Sequence, residues 1–204
     1  MKLFIKRKLF LLTFLISIIL NSSCAISKEQ QFIDDLQNIA KVENDRERYV
    51  KFLELYEKSN EYEQFSLLPF ISKDAILIND LTSAQKYASL LLRLAEKYKN
   101  DWNYGNAVHD GNIVIGKVIL ESGDIEKATY HLLEAGKSPG SPQISAFGPS
   151  MMLAFSLLEA GESKTVIQYL QSCKKIWSNG KYKLDEWISL IEAGDKPDFG
   201  IYQQ

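Results

Sequence analysis

The chain has 204 residues, 46% hydrophobic and 25% charged, with five prolines and eleven glycines. That is length for one core rather than two, and the mix excludes a low-complexity chain. Its 24 Lys and Arg against 26 Asp and Glu leave a net charge of −2, which argues against nucleic acid, a partner that wants a basic stripe.

Residues 1–24 read as an export signal. Lys2, Lys6, Arg7 and Lys8 form a positive start, and an uncharged stretch runs from Leu9 to Leu20. About 20 apolar residues are needed to cross a bilayer as a helix, and this run is shorter. Ser22-Ser23-Cys24 resembles a bacterial lipobox, in which the cysteine becomes a lipidated N-terminus. Asn21 departs from it, because a lipobox has Leu there. Cleavage after Ala25 and a retained anchor are the competing outcomes. Removing the signal takes away four bases and no acid, moving the net charge from −2 to −6. With Cys24 lipidated, Cys173 has no partner, so a disulfide framework is not expected.

Residues 25–31 read as a tether and 32–204 as one helical domain. Phe32, Leu36 and Ile39 share a helix face. Asp45 is the expected cap of a helix carrying Tyr49, Phe52, Leu53 and Tyr56. Between Glu61 and Asp80, Pro69 predicts a broken or late-starting helix with Phe70, Ile71, Ile76 and Ile78 inward. Thr82 or Ser83 is expected to cap a helix carrying Tyr87, Leu90, Leu91, Leu94 and Tyr98. A helix from Asp101 to Gly123 follows, then its return partner Asp124 to Ala135. Ser138 to Pro149 reads as a connector. Ser150 to Gly161, Ser163 to Trp177 and Tyr182 to Gly194 complete the helices, and the tail from Asp195 reads as extended. The three tryptophans, Trp102, Trp177 and Trp187, read as core at helical spacing.

One phrase occurs three times: Leu120-Glu121-Ser122-Gly123-Asp124, Leu158-Glu159-Ala160-Gly161-Glu162 and Ile191-Glu192-Ala193-Gly194-Asp195. Each ends an apolar helical pattern on glycine with an acid behind it, the signature of a helix stop and tight turn. Residues 109–136 resemble a tetratricopeptide repeat. Ile115-Gly116 and Ile119 take its first-helix positions, Gly123 the turn, and Ala128, Leu132 and Ala135 the second helix. Asn112 and Leu132 depart from the motif, which has Trp and an aromatic there. A second copy uses Ala154, Leu157, Gly161, Val166, Leu170 and Cys173, and a half-copy from Trp187 to Gly194 resembles a terminal cap. Residues 100–200, with Gly105-Asn106, Ser138 to Gln143, Phe147-Gly148-Pro149 and Pro197 to Gly200, also look like a group of uncharacterised small bacterial repeat proteins. The resemblance implies an all-α fold, a tetratricopeptide-like right-handed solenoid of antiparallel helix hairpins, and no activity.

Asn106, His109, Asn112 and Gly116 recur every three or four residues, a polar seam on a helix that also carries Gly105 and Gly111. Interior glycines cost about 1 kcal/mol each against alanine, so close approach by a neighbour or ligand is expected. The seam and the connector residues Ser141 and Gln143 are the candidate binding residues, or else the seam anchors the connector. His109 and His131 lie on separate helices without acids or cysteines at zinc spacing, so no metal is expected, and His131 should face outward. Gly140-Ser141-Pro142 is not a nucleophile elbow, and no phosphate loop occurs. No cofactor and no catalytic constellation is expected. The chain therefore reads as a non-enzymatic scaffold on the periplasmic face of a bacterial envelope, membrane-anchored through Cys24, with a protein or peptide partner and no nucleic acid. The alternative is a small-ligand or weakly enzymatic site between helix 101–122 and loop 138–149.

Overall fold

The computed structural model describes residues 28–203, and these are helical, with no strand among them. The export signal, Cys24 and the start of the tether lie outside the described residues. No helix among the described residues is long and apolar enough to cross a membrane.

The chain divides into two compact units, one ending at Glu43 and a body from Asn44 onward. In the first, α1 spans 28–39, so the helix begins before Phe32. Gln30 and Gln31 hydrogen-bond to Asp34 and Asp35 one turn on. Phe32, Leu36 and Ile39 form its half-buried side.

The body opens with α2, Asp45–Lys58. Its cap is Asn44, whose Oδ1 accepts from the Glu47 N–H at 2.9 Å, and Asp45 instead pairs with Arg48. Helix α3, Glu61–Leu77, runs straight through Pro69. A proline inside a helix costs about 3 kcal/mol or more. Here it is outweighed: Phe65, Leu67, Leu68, Ile71 and Ala75 are all fully buried on the same segment, and an Asn60–Glu63 capping box fixes its start. Phe70 points outward, its ring stacked on Phe52 at 5.3 Å.

Helix α4, Leu81–Lys97, is capped by Asp80 rather than Thr82 or Ser83. Helix α5, Tyr104–Glu121, starts three residues after Asp101. Then come α6, Ile125–Gly136, and α7, Pro142–Phe147. Helix α7 is a short helix inside the segment expected to be plain connector; Ser141 caps it and Pro142 suits its first turn. Helices α8, Met152–Glu159, α9, Ser163–Cys173, and α10, Lys181–Glu192, follow, with 3-10 turns at Ser178–Gly180 and Gly200–Gln203. The tail expected to be extended thus ends helically.

Within the body α2 to α6 pack in succession, each on the next; α8, α9 and α10 do likewise. Helix α5 also contacts α3 and α8, and α6 contacts α8 and α9. One buried cluster centres on Phe65, Leu68, Leu91, Ala95 and Ala107. A larger one runs from Ile113 through Leu132, Leu153 and Tyr169 to Trp187 and Phe199.

The threefold phrase stops a helix each time. Gly123, Gly161 and Gly194 have φ of 88°, 91° and 89°, the left-handed region that glycine enters without penalty. The residue after each glycine sends its N–H back to Ile119, Leu157 or Leu190, and the glycine N–H reaches Leu120, Leu158 or Ile191. That double return is the Schellman arrangement. Asp124 then caps α6 through the Lys127 N–H, so only the first copy adds a side-chain cap for the next helix.

Close approach explains two more small residues. A Cβ on Gly116 would lie 2.3 Å from Leu153 Cδ2 and 3.0 Å from His131 Cβ. Ala128 is fully buried opposite it, its carbonyl 3.4 Å from the same point. Ala128→Leu is therefore expected to destabilise by ~1–3 kcal/mol through overpacking. Lys127→Leu, with its side chain 73% exposed, should have little effect. Urea unfolding of the two variants checks this, and equal effects would refute the packing role.

Candidate functional site

The polar seam on α5 divides into separate networks. Toward its N-terminus, α5 and the 138–143 segment are locked together. Gly105 lies so close to Gly140 that a Cβ would fall 1.7 Å from the Gly140 carbonyl oxygen. Ser138 Oγ donates to the Gly105 carbonyl at 2.7 Å and accepts from the Gly140 N–H at 3.1 Å. Asn106 Nδ2 donates to Gln143 Oε1 at 2.8 Å and to Asn103 Oδ1 at 2.7 Å, while Ser141 Oγ donates to Asn106 Oδ1. Ser141 also accepts the Ile144 N–H that begins α7. Asn106, Ser141 and Gln143 thus meet as expected, and the contact anchors the segment.

His109 and Asn112 do not join them. His109 is fully buried. Its Nδ1 lies 2.9 Å from Asp110 Oδ1, and its Nε2 lies 2.9 Å from the Tyr169 hydroxyl. Tyr169 in turn donates to the Ser150 carbonyl at 2.7 Å. Asp110 Oδ2 faces Lys73 Nζ at 2.9 Å. Burial works to raise the Asp110 pKa, but the Lys73 ammonium and the His109 hydrogen bond hold the carboxyl well below the usual range. Asn112 donates to the Val108 carbonyl at 2.8 Å and pairs with His131, Nδ1 to Oδ1, at 2.9 Å. His131 is therefore half-buried rather than outward, and burial lowers its pKa. Among the described residues no buried side-chain polar atom lacks a partner. Nor does any group of three or more His, Cys, Asp and Glu among them suit a metal ion.

Lys73, Asp110, Ser150 and Tyr169 were not among the candidate residues named from the sequence. Asp110 is signalled only by adjacency to His109. The Tyr169 contact spans 60 residues, and no local pattern announces it.

Cys173 is fully buried. Burial pushes its thiol up to about 12, with a hydrogen bond to Tyr169 opposing that rise. An unfolded thiol titrates near 8.5. A group whose folded pKa is raised contributes stability that is present below the unfolded value and lost as pH rises toward the folded one. Between about pH 9 and 10 the wild type should lose roughly 1.4 kcal/mol more per pH unit than Cys173→Ala. Urea unfolding at each pH measures this, and parallel curves would contradict it.

The concave feature beside the locked corner is an open groove of about 510 Å³. The α4–α5 turn lines one side with Lys99, Asp101, Trp102 and Tyr104, and Pro139 and Pro142 line the other. Trp102 is 52% exposed, so it departs from the core role that Trp177 and Trp187 fill at 4% and 3%. Tyr62 donates to Asp101 at 3.0 Å, and Asp101 accepts the Asn103 N–H at 2.8 Å, which pins the turn that presents Trp102. Ser141 and Gly105 also border the groove, while His109, Asn112 and Gln143 are outside its lining. The groove walls are aromatic and proline faces with a few charges at the rim. Compared with family models, with curated proteins and with solved structures, the chain matches none.

Proposed function

We propose that this is a non-catalytic peptide-binding scaffold of the bacterial envelope, built as a tetratricopeptide-like right-handed solenoid of antiparallel helix hairpins. It is exported and held at the periplasmic face through a lipidated Cys24. The hairpin reading is supported by α3/α4, α5/α6 and α8/α9, whose first members neighbour one another along the body. The observation that carries the binding role is the open groove with exposed Trp102 on its wall, beside a corner whose own polar groups are already paired. A rigid wall loses little entropy when a ligand arrives, which favours recognition.

The test is selection of a displayed peptide library on the protein, followed by titration of the selected peptides. Trp102→Ala is expected to weaken binding tenfold or more, about 1.4 kcal/mol, without lowering the melting temperature. Peptides that bind both forms equally would place recognition elsewhere. Tight binding of a small metabolite abolished by Gln143→Ala would favour the small-ligand alternative instead.

A further inference from the structure

Three large apolar side chains stand far into solvent: Phe147 at 75%, Tyr182 at 85% and Ile201 at 79% exposure. They are the most exposed of their kind among the described residues, and they belong to three different segments. A chain neighbour of each packs on one ring cluster. Tyr202, next to Ile201, packs its ring 5.1 Å from Trp177 and 5.6 Å from Trp187. Gly148, next to Phe147, backs onto the same rings, so that a Cβ there would come within 2.8 Å of Tyr202 and 2.9 Å of Trp177. Lys183, next to Tyr182, holds its ammonium 5.5 Å from the Tyr202 ring and 5.6 Å from Trp187. Each protruding residue is thus the chain neighbour of a residue that packs on this aromatic cluster.

One stretch of chain beside this cluster is rich in lysine. From Ser163 to Leu184 the chain has no acid and five lysines: Lys164, Lys174, Lys175, Lys181 and Lys183. Lys175, Lys181 and Lys183 are exposed. Glu162 precedes this stretch and Asp185, engaged with Lys174, and Glu186 follow it, while Asp198 in the tail accepts the Gly200 N–H. A basic patch on a chain of net charge −2 is a local feature, not an overall bias.

We propose that Phe147, Tyr182 and Ile201, ringed by Lys175, Lys181 and Lys183, dock this end of the body onto the surface of an anionic phospholipid bilayer. Protein interfaces deplete lysine at their centre, whereas interfacial membrane sites combine lysines with protruding aromatic and aliphatic side chains. The aromatic and aliphatic tips enter the headgroup boundary and the ammonium groups meet lipid phosphates. This contact stands apart from the peptide groove and from the lipid anchor.

The experiment uses the full chain with Cys24→Ser and an environment-sensitive fluorophore on Tyr182→Cys. The buried Cys173 thiol stays unlabelled. A control carries the label on Tyr130→Cys, an exposed position on α6. Vesicles are neutral phosphatidylcholine, or the same with a third phosphatidylglycerol. With anionic vesicles the 182 label is expected to shift to the blue and to be quenched by brominated acyl chains, while the 130 label stays aqueous. Each lysine near an anionic surface is worth about fivefold in partitioning, so Lys175→Gln, Lys181→Gln and Lys183→Gln together should weaken the response roughly a hundredfold. Equal behaviour of the two labels, or equal response to neutral vesicles, would overturn the proposal. So would a blue shift without vesicles that grows with protein concentration, which would assign the patch to a second copy of the chain.

Discussion

Gly105→Ala is expected to lower stability by about 3 kcal/mol or more, beyond the usual range for one added methyl group. The new Cβ would fall 1.7 Å from the Gly140 carbonyl oxygen, and that oxygen cannot swing aside like a side chain. Gly140 is itself held: its φ is 81°, and a methyl placed there would meet Ile176 at 3.1 Å. Accommodating the methyl group means separating α5 from the 138–143 segment, which also breaks the Ser138–Gly105 and Asn106–Gln143 hydrogen bonds. For a chain of this length the melting temperature should fall by roughly 6–12 °C. Gly111→Ala is the control. Its Cβ would meet the Leu92 side chain at 2.7 Å, which can change rotamer, and the helix regains about 1 kcal/mol of propensity. Similar melting temperatures for the two variants would refute the contact between Gly105 and Gly140.

Tyr169→Phe is expected to cost about 2–4 kcal/mol although it removes a single oxygen. That oxygen serves His109 Nε2 and the Ser150 carbonyl, both in the buried interior, and each stranded group costs ~1–3 kcal/mol. The ring itself remains, so no cavity contributes. A double-mutant cycle assigns the loss. His109→Ala and Tyr169→Phe share a network and should be non-additive, whereas His109→Ala and Gln143→Ala should add within ~0.5 kcal/mol. Coupling between His109 and Gln143 instead would restore a single seam joining α5 to the connector.

What was readable in the chain follows the range of the interaction. The helix stops were legible because a Schellman turn is local: glycine, its φ and the returning N–H lie within six residues of one another. The small residues Gly116 and Ala128 were singled out by the resemblance to a repeat, and both lie at a close approach of α5 and α6. Helix starts missed by one to three residues where a neighbour could serve as cap: Asn44 for Asp45, Asp80 for Thr82. Pro69 misled because local cost was weighed without the burial around it. The seam was half legible. Helical period put Asn106, His109 and Asn112 within a turn of each other, and Ser141 and Gln143 do reach Asn106. His109 turns instead to Tyr169, and Asn112 to His131, partners set by tertiary packing. Trp102 was read as core because a tryptophan in a helical protein usually is. Its place on the α4–α5 turn, ahead of the first residue of α5, leaves it on the surface.

We propose recognition in the Trp102 groove and not at the buried His109 network, which lies outside its lining. The most direct measurement is a two-dimensional NMR titration of the protein with a selected peptide. The Trp102 indole N–H and the backbone amides of Lys99, Tyr104 and Ser141 are expected to shift, with His109 and Tyr169 unchanged. Shifts centred on His109, Tyr169 and Asn112, with the Trp102 indole unmoved, would contradict it.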